Sequence, residues 1–343
     1  MSLRIAILGV AHYHANFWTK AFLASEGVAV AGAWDSDPAR ADVFARQHGI
    51  AAVTDLAALL AGSDAVAICS ETAAHPALVQ AAAEKGLSIL CEKPLGATME
   101  QCDAIAGIVA ETGIRFMQSF PKRFDPVNHE IAALLRDGAI GRVTLVRIRH
   151  GHSHGFDPNF RKGWFVDPAE SGGGTLLDEG VHAADFLNWL FGMPASAYAT
   201  ISSSIFDLPV EDTAAAIFRY ADGMIAEVTT SWAFAAADTS IEIYGTEGTI
   251  LLGGVDIASR PTCESDFLRV FRRDAGGGSW VSSPTVPHFK TGIFHEHVAW
   301  AFAKALKAGG AMPVTLEDGR QAFAMIDAAY RSVRSGGAEP VRA

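Results

Sequence analysis

The sequence predicts an α/β domain with a parallel, doubly wound sheet, followed by an α+β domain with a large, mostly antiparallel, open-faced sheet. Three observations predict it. Short apolar runs alternate with helical segments as far as Pro121. Beyond Pro121 the rhythm changes to longer, alternating strands separated by turn residues. The length, 343 residues, suits two domains at roughly 100–200 residues each.

In the first part, Leu3–Leu8 is an apolar run ending at Gly9, and Val28–Trp34 is a second, ending at Asp35. Runs at 65–69, 87–91 and 114–118 follow. Runs that are apolar throughout are strands buried on both faces. The segment 37–48 opens with Asp-Pro, a helix start that uses Asp37 as the cap. The segment 75–85 is Ala-rich and stops before Gly86, and 98–111 runs from a Thr cap to Gly113. The boundary is expected at Pro121–Phe124, giving domains 1–121 and 122–343.

In the second part, Pro126–Arg136 is expected as a helix, 142–154 as a strand and 175–191 as one helix beginning near Leu177. Strands are expected at 197–204, 213–220, 224–233, 239–244, 249–252 and 267–272. Two helices, 291–307 and 316–334, close the chain. The stretch 253–286, rich in Gly, Ser and Pro, is expected to be largely irregular.

Composition narrows the function. Half the residues are apolar and 19% are charged, a globular balance. A net charge of −11 argues against nucleic acid, whose phosphates need a basic face. The four cysteines form no C-x-x-C pair and suit a reducing cytoplasm. No secretory leader and no bilayer-length apolar run is read.

Strand, Gly9 turn, helix and Asp35 make a partial dinucleotide fingerprint. Its second and third glycines are Ala11 and His14. Ala11 still admits a pyrophosphate, whereas His14 must point away from the first strand. His12 and Tyr13 lie at the helix N-terminus, where phosphates bind. Asp35 is placed to accept from the adenosine ribose hydroxyls, which favours NAD over NADP.

Two further segments carry chemistry. Glu92-Lys93-Pro94 follows the fourth strand, at the edge where such sheets bind ligands. Ser171-Gly-Gly-Gly leads into Asp178, His182 and Asp185, which are expected on one helix face. His150, His152 and His154 alternate along a strand; no metal is assigned to them, and His152 is expected to line the substrate pocket with Trp164 and Phe165. His295 and His297, two apart on a helix, do not share a face. No Walker loop and no G-x-S-x-G elbow is present.

Taken together, Glu92-Lys93-Pro94 and Gly-Gly-Gly-x-x-x-Asp178-x-Gly-x-His182-x-x-Asp185 resemble the glucose–fructose oxidoreductase/inositol dehydrogenase/rhizopine-catabolism (Gfo/Idh/MocA) family. His75, Arg123-Phe124-x-Pro126, Gly138-x-Ile140-Gly141 and Glu317-Asp318-Gly319 extend the resemblance along nearly the whole chain. The resemblance implies an NAD-dependent dehydrogenase of sugars, cyclitols or related polyols. Lys93, Asp178 and His182 would be its catalytic group, and Ser70, Thr72, His75 and Glu92 would join the cofactor contacts. Arg123 would be among the substrate contacts, with Asp185 a partner for His182. His182, near neutral in pKa, suits a general base. The sequence departs from the family where Ser70-Glu71-Thr72 replaces Thr-Pro-Asn and where Pro121 replaces Asn. An NAD-retaining glycosidase-like enzyme and a non-catalytic sugar or nucleotide sensor are the alternatives on the same fold. The open sheet face is expected to be covered in a homodimer or homotetramer.

Overall fold

The structure is a computed structural model and describes residues 2–237, 239–256 and 260–342. Its first part runs β1 (Leu3–Leu8), α1 (His14–Leu23), β2 (Val28–Trp34), α2 (Pro38–His48), α3 (Leu56–Ala61), β3 (Ala65–Ile68), α4 (His75–Ala83), β4 (Ser88–Cys91), α5 (Met99–Thr112) and β5 (Phe116–Gln118). The strands form one sheet in the order β2-β1-β3-β4-β5, with every neighbouring pair parallel. Ile5, Ile7, Leu8, Val66, Ile68, Ile89 and Leu90 are fully buried, as runs apolar on both faces require. Asp37 caps α2 as expected, accepting from the N–H groups of Ala39 and Arg40. The strand order reverses between β1 and β3, so a crevice opens at their carboxyl ends.

The second part begins with α6 (Pro126–Arg136) and β6 (Val143–Arg149) and continues through α7 (Pro168–Ser171), α8 (Thr175–Asp178) and α9 (Gly180–Phe191). Seven strands follow: β7 (Ser196–Ser202), β8 (Thr213–Arg219), β9 (Ile225–Ser231), β10 (Ser240–Gly245), β11 (Gly248–Leu252), β12 (Leu268–Arg272) and β13 (Ser279–Ser282). The chain closes with α10 (His288–Thr291), α11 (Glu296–Ala308), α12 (Leu316–Ser335) and β14 (Glu339–Pro340). The nine-stranded sheet is ordered β13-β12-β11-β10-β6-β9-β8-β7-β14. Among the described residues of this sheet, only β6 and β9 pair in parallel. Helices α8 and α9 pack on β8 and β9 and cover one face. That face buries Ala214, Ala216, Phe218, Ala226 and Val228, while Tyr198, Ile217 and Ile225 are exposed on the other.

By packing, the chain falls into two units. One comprises Met1–Pro121, Ala169–Gly172 and His295–Arg320, and the other Lys122–Pro168, Gly173–Phe294 and Gln321–Ala343. The return of α11 to the first unit is not visible at the 121/122 boundary. Its apolar stripe (Val298, Ala299, Phe302) is buried, and Trp300 Nε1 donates to the Ala21 carbonyl of α1 at 3.3 Å.

Three expectations change in detail. The helix at 175–191 is two helices, broken at Glu179 (φ −99°, ψ −35°). The strand at 142–154 ends at Arg149, although the backbone stays extended far enough for the N–H groups of His150 and His152 to reach Thr229 and Ser231. His154 instead opens a 3₁₀ turn, so only His150 and His152 keep the period of two. The stretch 253–286 contains β13 as well as the expected β12, and residues 257–259 within it lie outside the described residues. Among the described residues no helix is long and apolar enough to cross a membrane.

The triple glycine is explained by close approach. A Cβ on Gly174 would lie 2.0 Å from the Glu211 carbonyl oxygen, and one on Gly173 would lie 2.4 Å from the Tyr330 hydroxyl. Gly174→Ala is therefore expected to destabilise the protein by about 1–3 kcal/mol, the usual cost of overpacking. Gly107→Ala, in exposed α5 with nothing within 4 Å, should instead be neutral or stabilising by about 0.4–1 kcal/mol. Denaturant titration of both variants checks the contrast.

Candidate active site

In the first unit the turn after β1 is built around Gly9 and Asp35. Gly9 has φ +76°, and a Cβ there would fall 2.4 Å from Ser70 Cβ. Only glycine fits between the ends of β1 and β3. Asp35, at the end of β2, is buried and fixes the same turn. Its Oδ2 accepts from the Val10 N–H at 2.7 Å, and its Oδ1 accepts from Asp37 N–H at 2.8 Å and from Arg40 Nη2 at 2.7 Å. The same Arg40 nitrogen reaches Glu71 Oε1 at 2.6 Å. One guanidinium thus bridges two carboxylates, an arrangement that sequence spacing does not show. Helix α1 begins without a side-chain cap and without an acidic residue in its own first turn, which suits an anion. These residues fit the pyrophosphate and ribose of a dinucleotide.

The other predicted contacts in this unit sit at the same sheet edge. Ser70 follows β3, and its hydroxyl donates to the Glu71 carbonyl. Thr72 starts a 3₁₀ turn, and His75 opens α4 with Nδ1 3.3 Å from the Leu95 carbonyl oxygen. Ala11 is half-buried and Tyr13 is exposed. His12 is buried, and its Nδ1 accepts the His14 backbone N–H at 3.2 Å. His14 is buried as well, with Nδ1 3.2 Å from Glu92 Oε2. The third fingerprint position therefore reaches across to the end of β4 and meets an acid.

Lys93 is buried directly after β4, before a cis Pro94. Its backbone N–H donates to Glu92 Oε1 at 3.0 Å. Burial pushes the Glu92 carboxyl up to about 7, against the opposing pull of Lys93 and then His295. His295, at the head of α11, sets its ring 3.7 Å from that of His14, tilted by 34°. Burial holds the His295 imidazole well below its ordinary range, with His14 adding to the effect. The sequence treatment of His295 and His297 as a pair missed this, because His295 works with residues of α1 and β4.

In the second unit, the amino end of α8 is capped by Glu211 from a distant loop. Its Oε1 accepts from the Leu176 N–H at 2.9 Å, both its oxygens face the Gly174 N–H at 3.1 Å, and the Tyr330 hydroxyl donates to Oε1 at 2.7 Å. Burial raises the Glu211 carboxyl, opposed by these donors. Asp178 ends α8, and its Oδ2 accepts from Trp232 Nε1 at 3.1 Å. His152 Nε2 lies 3.7 Å from that oxygen and 3.3 Å from Glu179 Oε1. Glu179 Oε2 lies 3.2 Å from His150 Nε2. The His150 ring meets the His182 ring edge-to-face at 5.2 Å. Burial works against the His152 imidazolium, but Glu179 and then Asp178 outweigh it and push the ring up to about 9. Buried Lys122 is drawn down to about 8 by desolvation, against Asp125, Glu179 and Asp185.

Asp185 is fully buried and pairs with Arg123, at 3.0 and 3.1 Å from Nε and 2.7 Å from Nη2. Arg123 thus holds the Asp185 carboxylate one turn along α9 from His182. Trp164 is half-buried and stacks on Phe165 at 4.0 Å. Glu179, Trp232, Lys122 and Glu211 were missed. Glu179 alone had a signal, since an acid beside Asp178 breaks the apolar stripe.

Ligand-type atoms of His152, Asp178 and Glu179 lie within 4.8 Å of one another, as do those of His12, His14 and Glu92. In each set one ring is in the wrong tautomer for coordination. His152 Nδ1 accepts the His154 N–H at 3.1 Å, as His12 Nδ1 accepts that of His14. In its neutral form each ring then carries its proton on Nε2 and donates from there.

Known proteins share the two-part fold. Residues 3–120 match the family model described as an oxidoreductase family with an NAD-binding Rossmann fold. Residues 128–251 match the GFO/IDH/MocA C-terminal domain. D-xylose 1-dehydrogenase (NADP(+)) 2 of Haloferax volcanii is 30% identical over 339 residues, covering 98% of this chain and 99% of the relative. Inositol 2-dehydrogenase of Rhizobium meliloti is 28% identical over 342 residues, with 97% of each chain covered. The solved structure of a levoglucosan dehydrogenase in complex with NADH and levoglucosan superposes with a TM-score of 0.85 at 22% identity over 100% of both chains, which shows the shared fold. With both halves matched and a relative aligned end to end, the chain belongs to the Gfo/Idh/MocA family of NAD-binding oxidoreductases.

Proposed function

We propose that this oxidoreductase oxidises a CH–OH carbon of a sugar, cyclitol or related polyol, with NAD as the preferred cofactor. The observation that carries the reading is the buried cluster of Asp178, His182, His152 and Trp232 in the second unit, which offers both donors and acceptors to a hydroxyl-rich substrate. A bound nicotinamide supplies the hydride acceptor. His182 takes the proton of the reacting hydroxyl as general base. Asp178, oriented by the Trp232 indole N–H, accepts a hydrogen bond from the same hydroxyl. Lys93 stabilises the oxygen as it gains carbonyl character. Trp164 offers an aromatic face to the carbon skeleton. No metal is assigned. Residues 1–121 serve the cofactor and 122–343 serve the substrate and self-association, with α11 supporting the cofactor side.

The catalytic assignment is tested by NAD reduction over a panel of myo-inositol, D-xylose, levoglucosan and gluconate. Lys93→Ala should lower kcat/KM on the active compound by about 10²-fold or more. Unchanged turnover in Lys93→Ala, or no net NADH from any polyol in the wider class, would defeat it.

Cofactor choice follows from charge. The ribose end carries two carboxylates, Asp35 and Glu71, against the single guanidinium of Arg40. A 2′-phosphate adds nearly two further negative charges. NADH should bind at least about tenfold more tightly than NADPH, a difference of about 1.4 kcal/mol. Glu71→Gln should narrow the ratio. Fluorescence titration decides, and tighter NADPH binding by the unaltered protein would overturn the argument.

A homodimer or homotetramer is proposed on the open sheet face, where Tyr198 sits opposite Ile217 and Ile225 opposite Arg219. Exposed apolar side chains on a broad sheet are an association surface. Light scattering at micromolar concentration should give an oligomer, and Ile217→Arg should shift it toward monomer; a monomeric unaltered protein contradicts the proposal. The reduced cysteines, three of them buried, fit a cytoplasmic protein.

A further inference from the structure

We propose that Glu179 is a positioning residue for the oxidoreductase reaction: by bridging His150 and His152, it fixes the two rings against which His182 and Asp178 are set. The inference rests on the proposed roles of Asp178 and His182, but its geometry lies wholly within the second unit.

Glu179 stands at the break between α8 and α9. In an unbroken helix, adjacent residues point about 100° apart. The break lets Asp178 and Glu179 face one cluster. Glu179 is buried, and its two oxygens serve different rings, Oε1 at 3.3 Å from His152 Nε2 and Oε2 at 3.2 Å from His150 Nε2. Each ring then leans on one of the two groups assigned to catalysis. His152 Nε2 lies 3.7 Å from Asp178 Oδ2, and the His150 ring is edge-on to His182. The rings are held from behind as well. The N–H groups of His150 and His152 bond to β9 and its continuation, and a Cβ on Gly151 between them would fall 2.4 Å from the Ser231 carbonyl oxygen.

A purely structural role accounts poorly for this arrangement. Burying a carboxylate costs several kcal/mol unless it is paired, and an apolar side chain at a helix break would avoid that cost. Buried charge clusters of this kind gather where chemistry is done. The groups facing Glu179 are His150 and His152 from the extended strand, His154 from the 3₁₀ turn that follows, and Lys122 from the turn before α6. The groups facing His152 are Glu179, Asp178 and His154. The proton of His152 is on Nε2, because Nδ1 accepts the His154 N–H. A second proton must displace that bond, while the two carboxylates favour its arrival. Glu179 therefore sets both where the ring donates and how readily it charges.

The test uses the intact protein with ¹⁵N-labelled histidine. In the unaltered protein, His152 should show the Nε2–H tautomer and titrate above the ordinary midpoint of about 6.5. Glu179→Gln should lower that midpoint by at least about one unit. It should also reduce kcat by on the order of 10²-fold with little change in KM, the signature of lost orientation, and shift the kcat–pH profile. An unchanged midpoint in Glu179→Gln, or turnover and pH profile equal to the unaltered protein, overturns the proposal. Should Glu179→Gln not fold, an Nδ1–H tautomer or a midpoint below 6.5 in the unaltered protein overturns it equally. Asp178→Asn and His182→Gln separate the two ideas. Full turnover in both sinks the catalytic assignment, whereas a Glu179 failure beside inactive Asp178→Asn and His182→Gln sinks this inference alone.

Discussion

The carboxylate of Glu211 caps the first turn of α8, and much of the second unit's chemistry depends on that cap. The helix has only four residues, too few to be stable alone. Its amino end carries no capping side chain of its own; Gly174 precedes it. Glu211 takes the N–H groups of Gly174 and Leu176, and the Tyr330 hydroxyl donates to the same carboxylate oxygen, Oε1. This works only because Gly173 and Gly174 let backbone, carboxylate and phenol approach within contact distance. The anchored turn then delivers Asp178 to Trp232 and ends at Glu179.

A comparable economy holds the cofactor turn of the first unit. Asp35 accepts from Val10, Asp37 and Arg40, so the carboxylate expected to meet a ribose also fixes the turn that would meet the pyrophosphate. Gly9 is indispensable for a different reason, since any side chain would strike Ser70. The lost glycine at position 14 is compensated in kind: His14 lies over the sheet edge and meets Glu92. The polar groups around Lys93 thus come from α1, β4 and α11.

Both units bury acids beside imidazoles, and in both the balance is set by burial first. Desolvation lifts Glu92 and lowers His295 and Lys122, while only His152 is carried the other way by its two carboxylates. The same donor–acceptor pattern recurs. An imidazole accepts a nearby backbone N–H on Nδ1, which leaves Nε2 to carry the proton of the neutral ring. Such rings donate hydrogen bonds, which is what a site for hydroxyl groups needs.

The sequence by itself determined the parallel sheet, because five apolar runs punctuated by Gly9, Asp35 and helix caps admit few other arrangements. It also determined the antiparallel character of the second sheet and the residues around which function is proposed, through Glu92-Lys93 and the Asp178–His182 spacing. Tertiary structure decided the rest. The break at Glu179 could not be read from a pattern that suits a continuous helix, nor could the cap on the amino end of α8, a carboxylate from Glu211 far along the chain. Arg40 bridging Asp35 to Glu71, Arg123 paired with Asp185, and His295 packed against His14 all join residues remote in sequence. Local periodicity reports which face a side chain occupies. It does not report what a distant segment brings to that face, and burial and partner choice arise there.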